Sequence, residues 1–237
     1  MKKIIFFIVA GITFFCCGCG KPLEQGIHTF SGTLEINEYA LGTSVGGRIE
    51  RLYVDEGQNV AKGELIATLD HYPLAKTRYD RLAGLIKFGA VSQEDFELAE
   101  RDVKDQEIVS PVDGVVLVKV HEEGEAVSAG SAVVIIGNTQ AYWVRVYVPE
   151  GMINRIHLNQ SAKIRLDGLK KMLTGRVSYI SPQAEFTPRN IQTPEERVSQ
   201  AFAIKVNLDQ PVDNLHAGVY ADVLININQP STPISSQ

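Results

Sequence analysis

The apolar positions of this chain change period twice. Over residues 45–69 they alternate with polar ones, over 70–109 they recur every three or four residues, and from 110 onward they alternate again. The first two alternating stretches are copies of one another. GRIERLYVDEGQNVAKG at 47–63 lies over GVVLVKVHEEGEAVSAG at 114–130 with a constant offset of 67 residues, which brings Gly47, Gly57 and Gly63 onto Gly114, Gly124 and Gly130, Glu56 onto Glu123 and Val60 onto Val127. Each copy reads as an alternating strand (Ile49, Leu52, Val54; Val116, Val118, Val120) and an acidic turn closed by glycine (Asp55-Glu56-Gly57; Glu122-Glu123-Gly124). A second glycine turn then leads into another apolar strand (Leu65-Ile66-Ala67; Val133-Val134-Ile135). Glycine suits tight turns with positive φ, so all six glycines are read as structural turn residues that set the register. Each copy is half of a small β-sandwich, and neither half buries its apolar face alone. The halves, 45–69 and 110–137, are expected to pack on each other across the segment between them.

In that segment, 70–109, Ala75, Tyr79, Leu82 and Ile86 step by 4, 3 and 4, and Phe96, Ala99 and Val103 by 3 and 4, so each set shares one helical face. Gly89 and Ala90 interrupt the pattern, and Ser92-Gln93-Glu94-Asp95 reads as a capping box in which the Ser92 hydroxyl accepts the Asp95 backbone N–H. This predicts a hairpin of two antiparallel helices, each of about 15 residues and reaching roughly 23 Å.

Beyond Asn138, alternation recurs in Tyr142–Val148, Ala162–Leu166, Gly175–Ile180, Ala201–Val206 and Tyr220–Ile225, with turn signals between. Five such strands predict a small barrel, to which Thr29–Ile36 adds a sixth. The barrel domain is therefore 29–44 with 138–228, and Pro149–Ile153 is read as a short helix. Gln183–Arg197 is a long polar loop with two prolines, and the Pro/Ser-rich tail 229–237 reads as disordered.

Composition excludes more than it assigns. The 237 residues carry 23 basic against 28 acidic side chains, a formal charge of −5, with no basic stripe interleaved with aromatics, so the footprint of a nucleic-acid binder is missing. His28, His71, His121, His157 and His216 show no metal-ligand spacing, and there is no phosphate loop and no Gly-x-Ser-x-Gly. The chain is expected not to be an enzyme and to need no cofactor or metal. All three cysteines, Cys16, Cys17 and Cys19, cluster near the N-terminus, so no disulfide framework exists in the body of the chain. They end an apolar run from Ile4 that follows Lys2 and Lys3 and falls short of the roughly 20 residues a membrane-spanning helix needs. Residues 1–18 read as a secretory leader followed by a linker, 19–28.

Cys16-Cys17-Gly18-Cys19 resembles a bacterial lipobox, which implies that Cys19 becomes the acylated N-terminus. Cys16 departs from the usual leucine, and a soluble exported protein or an uncleaved anchor is the alternative. The repeat resembles the lipoyl/biotinyl fold, although the hairpin that carries the cofactor lysine in carrier proteins is replaced here by the insertion. A split lipoyl domain with an inserted α-hairpin resembles the periplasmic adaptor, or membrane fusion protein, family of HlyD type. In adaptors that dock on a TolC-like outer-membrane channel, an arginine, a leucine and a serine recur at the hairpin tip, and Arg81, Leu85 and Ser92 match their spacing. Each also has a plain structural account: a solvated arginine, a wider seam and a helix cap. The loop 183–197 resembles a stretch of adaptors that serve ABC exporters. The resemblance implies a mainly β fold, a periplasmic chain held at the inner membrane by its lipid, and a likeness to hexameric rings between an ABC transporter and the outer-membrane channel. Export of small molecules such as drugs is the implied function; an adaptor for a proton-driven pump, or a lipoyl/biotinyl carrier, are the alternatives. The chain is expected to end with the barrel, without a further membrane-proximal domain, and its hairpin is short for that family.

Overall fold

The computed structural model describes residues 26–186, 200–212 and 215–228. The leader with Cys19, most of the linker, residues 187–197 of the polar loop and the tail 229–237 lie outside them. The strands are β1 Ile27–Gly42, β2 Gly47–Leu52, β3 Asn59–Val60, β4 Leu65–Leu69, β5 Glu107–Val109, β6 Gly114–Lys119, β7 Ala126–Val127, β8 Ala132–Pro149, β9 Ser161–Leu166, β10 Leu173–Ile180, β11 Glu185–Phe186, β12 Gln200–Leu208 and β13 Tyr220–Asn226. The helices are α1 Tyr72–Ile86, α2 Gln93–Asp105 and the single turn α3 Glu150–Ile153. The fold is mainly β with one inserted helical hairpin.

The two copies of the repeat complete each other's sheets. β3 pairs with β6 through Val60 and Gly114, and β7 pairs with β2 through Val127 and Gly47, which is the same pairing displaced by the repeat offset. Single hydrogen bonds obey the same operation. Gly57 N–H donates to Val116 O and Gly124 N–H to Ile49 O, both at 2.8 Å. The Glu56 carboxylate accepts the Lys119 N–H at 2.9 Å and the Glu123 carboxylate the Leu52 N–H at 2.8 Å, so the glutamate common to both copies fastens each half to the other. The core repeats too: Ile49 with Val116, Val60 with Val127, Ile66 with Val133 and Leu69 with Ile136 are all buried in one cluster. Leu41 and Ile108 join that cluster as a further pair, so the duplication extends into the end of β1 and into β5, beyond the stretch where sequence identity shows it.

One expectation fails in detail. Val118 and Val120, expected on the alternating strand with Val116, are each 43% exposed while Val116 is buried. A register shift between Val116 and Val118 reverses the side-chain phase, and the matching shift between Ile49 and Arg51 does the same in the first copy.

The second core fills a closed six-stranded antiparallel barrel in the cyclic order β1, β8, β12, β10, β9, β13. Closure leaves none of these six strands with a free edge inside the ring. Leu34, Val144, Val146, Ile164, Val177, Ile204 and Val223 are fully buried inside it, each contributing about 1.5–3 kcal/mol through its removal from water. β1 and β8 belong to both cores. β1 places Leu34 and Ile36 in the barrel and Leu41 in the sandwich, while β8 supplies Val133, Val134 and Ile136 to the sandwich and Val144 to Val148 to the barrel. Their pairing breaks between Ile36–Tyr142 and Asn37–Asn138, which leaves Thr139, Gln140 and Ala141 unpaired at the junction.

Of the six glycines read as turn residues, Gly57, Gly63, Gly124 and Gly130 have positive φ, whereas Gly47 and Gly114 are not turn residues but open β2 and β6, and at Gly114 close strand pairing excludes a larger side chain. Gly57 and Gly124 have φ of +80° and +86° with open space where a Cβ would stand, whereas a Cβ on Gly114 would lie 2.4 Å from Gly137 O. Gly57→Ala and Gly124→Ala are therefore expected to cost about 1–2 kcal/mol each, and by similar amounts, from backbone strain alone. Gly114→Ala is expected to cost more, because the paired strands must separate; urea denaturation of the three purified variants checks the ranking.

Candidate functional site

The hairpin leaves the sandwich between two strands that are themselves paired, β4 and β5, with Leu65 opposite Val109. Leu69 N–H donates to Gln106 O at 3.0 Å and Asp70 N–H to Arg48 O at 2.9 Å, which anchors both feet of the rod. Beside the exit, burial first and then the neighbouring Glu107 carboxylate raise the Tyr72 phenol above its ordinary pKa.

α1 begins with Pro73 in its first turn, where the missing N–H costs nothing. α2 begins at Ser92, whose Oγ accepts the Asp95 N–H at 3.0 Å and donates to Asp95 Oδ2 at 2.6 Å. Glu94 and Asp95 in its first turn and Lys104 in its last complement the helix dipole. The helices meet along the expected seam: the Tyr79 and Phe96 rings stack at 5.3 Å, Ala99 and Val103 are buried, and Arg78 crosses to Asp102 at 2.8 Å. α1 closes with the two bonds of a Schellman turn, Gly89 N–H to Ile86 O and Ala90 N–H to Leu85 O, with Gly89 at φ +67°.

What the seam leaves outside is the candidate site. Arg81 is exposed and Leu85 is 40% exposed, so the structure brings these two onto one outward face four residues apart. Ser92 lies across the turn from them with its hydroxyl engaged by Asp95. Leu74 and Arg78 continue the same face downward, and Leu74 is 73% exposed. Leu74, Arg78, Arg81 and Leu85 step by 4, 3 and 4, so α1 carries a second seam one residue out of phase with the one that packs on α2. At the tip, Phe88 is 84% exposed.

Sequence reasoning missed Leu74 and Phe88. The repeated 4, 3, 4 spacing would have found the first, and an aromatic residue beside the turn glycine Gly89 the second. Among the described residues, no three His, Cys, Asp or Glu side chains gather as a metal site, and no helix is long and apolar enough to cross a membrane.

Comparison with known proteins agrees with this architecture. A family model described as the barrel-sandwich hybrid domain of RND membrane fusion proteins matches residues 37–139. A UPF0194 membrane protein of Enterobacter sp. strain 638 is 24% identical, covering 95% of this chain and 98% of the relative. That alignment runs over 326 positions against a chain of 237 residues, so the relative contains long segments this chain lacks. A UPF0194 membrane protein of Acidithiobacillus ferridurans is 35% identical over 136 residues, 56% of this chain and 40% of the relative. Among solved structures, a MacA-MexA chimeric protein containing the Pseudomonas aeruginosa MexA α-hairpin superposes with a TM-score of 0.57 at 22% identity, over 85% of this chain and 81% of that one. The periplasmic adaptor protein EmrA superposes with a TM-score of 0.52 at 15% identity, over 85% and 98%. The split sandwich, the barrel that shares its two long strands and the hairpin set between the halves give this chain the fold of these membrane fusion and periplasmic adaptor proteins, and residues 37–139 carry the barrel-sandwich hybrid domain of the RND membrane fusion type.

Proposed function

We propose that the protein links an inner-membrane ABC transporter to a TolC-like outer-membrane channel for export of small molecules such as drugs. In this reading Cys19 carries the lipid that holds the chain at the inner membrane, six copies form a ring, the barrel meets the transporter and the hairpin meets the channel. The observation that carries it is the exposed outer row of α1, Leu74, Arg81 and Leu85, beneath the exposed Phe88, with Arg78 of that row tied to Asp102 of α2. Its spacing fits a helix of a partner, and the apolar side chains at the end of an anchored rod favour burial against one. Arg81, Leu85 and Ser92 are the docking residues, with Ser92 also holding the tip in shape. Support for the ABC class comes from the sequence of the loop 183–197. A second reading, an adaptor for a proton-driven pump, is favoured by the RND designation of the matched domain.

Photocrosslinkers placed at 85 and 88 in living cells are expected to capture an outer-membrane channel. A crosslinker at Leu158 is expected to capture the transporter, since this exposed residue stands at the barrel end where β1 starts: Gln160 reaches Asn226 O there, and Asn226 pairs with Ile27. Mass spectrometry identifies both. An ATPase complex caught from 158 supports the first reading and a proton-driven pump the second, while capture of neither sinks both.

Leu85→Asp is expected to abolish export in a susceptibility assay with stability unchanged within about 0.5 kcal/mol, as for other surface substitutions. Ser92→Ala is expected to cost about 1 kcal/mol through the lost cap, and Ser92→Asp to restore it. Thermal melts alongside the export assay separate the two roles of Ser92: recovery of export in Ser92→Asp assigns its contribution to the cap.

A further inference from the structure

Trp143 is the single tryptophan of the chain, and it faces outward from the barrel between the core residues Tyr142 and Val144, yet it is only 6% exposed. Two cations cover it. Lys205 Nζ stands 4.1 Å from the centre of its ring and 5.8 Å from that of Tyr179, and the Arg145 guanidinium carbon lies 5.2 Å from the Trp143 ring. Arg145 is neutralised by Glu35, 2.9 Å from its Nε. Lys205 has no carboxylate within 4.0 Å among the described residues.

Beside this stack is a recess of about 360 Å³, lined by Asn37, Gln140, Trp143, Ser178, Lys205 and Asn207. The orientation of Asn37 follows from its partner, and Asn207 keeps at least one free N–H whichever way it is turned. The indole Nε1–H of Trp143 only donates, and it reaches Asn37 at 3.1 Å, so the Asn37 oxygen is consumed and its NH₂ is free. Ser178 Oγ lies 2.9 Å from the Asn207 side-chain amide and 3.3 Å from Lys205 O; if its one proton goes to Asn207 the Asn207 NH₂ is free, and if it goes to Lys205 O the hydroxyl accepts one Asn207 N–H and leaves the other. Among the described residues the recess thus presents amide N–H groups of Asn37 and Asn207 and an ammonium without a carboxylate partner, and no Asp or Glu lines it. Ala141, Tyr142 and Leu208 add an apolar rim.

We propose that this recess binds a soluble organic anion, its carboxylate or phosphate on Lys205, Asn37 and Asn207 and its apolar part along Ala141 and Leu208. Donors without competing acceptors select for negative charge, and the volume lies within the range of small-molecule sites. The site lies on the barrel wall at the junction with the sandwich, away from the hairpin, so it goes beyond the docking reading and does not depend on it.

Trp143 reports the site without labelling. Titration of the purified chain with benzoate and with phenyl phosphate, followed by tryptophan fluorescence, is expected to give a saturable change for at least one of them, and none for benzyl alcohol or benzylammonium. Lys205→Gln and Asn207→Ala are each expected to weaken the anion by about tenfold, the loss of one hydrogen bond to a charged group, with each variant still folded by circular dichroism. Equal response to benzyl alcohol, affinity within twofold in Lys205→Gln, or a response only to vesicles of phosphatidylglycerol and not to either soluble anion would overturn the proposal.

Discussion

The fold depends on an exchange of strands between two half-sandwiches. The second strand of each half is two residues long and finds its partner only in the other half, β3 on β6 and β7 on β2. Neither half therefore has a complete sheet or a closed core of its own, and the paired burial of Ile49 with Val116 and Leu69 with Ile136 exists only in the assembled state. Glu56 and Glu123 show that the exchange reaches single backbone N–H groups. Those N–H groups gain charge-assisted partners from across the pseudo-twofold.

This exchange explains how a hairpin can interrupt the sandwich. The segment between the halves is closed at its base by the pairing of β4 with β5, and the cost of closing a longer connection grows only slowly with its length. The hairpin is thus an insertion at a point already held shut, and its internal seam makes it a rod. The same architecture ties sandwich to barrel. β1 and β8 carry hydrogen bonding through both cores, and the larger of their two breaks in register, between Ile36 and Asn37, lies at the junction. There, Trp143 Nε1 holds Asn37, and Tyr142, its phenol raised in pKa by burial, donates to Leu215 O at 2.7 Å.

Much of this was legible. The glycine spacing identified the duplication, the change of period identified the hairpin, and Ser92 with Asp95 formed the cap that their spacing implies. Arg81 and Leu85 stand outward because they are one position off the inner seam, which is a property of helical periodicity. Val118 and Val120 were misread because a bulge costs nothing in composition: apolar residues occupy strand positions whose direction depends on pairing with β8. Leu74 and Phe88 went unread although their spacing and their place beside Gly89 were local signals; the degree of their exposure, 73% and 84%, depends on what the rest of the fold leaves uncovered.

The sequence by itself determined the repeat, the order of the main elements, the seam of the hairpin and the positive-φ turns at Gly57, Gly63, Gly124 and Gly130, since these depend on residues within a few positions of one another. Tertiary structure alone decided which strands pair across the repeat, where the register slips, and that Trp143 lies covered by Lys205 on the outside of a closed barrel. These rest on contacts between residues far apart in the chain, such as Asn37 with Trp143 and Trp143 with Lys205. No local pattern encodes such contacts, because their energy appears only when distant strands have closed the ring.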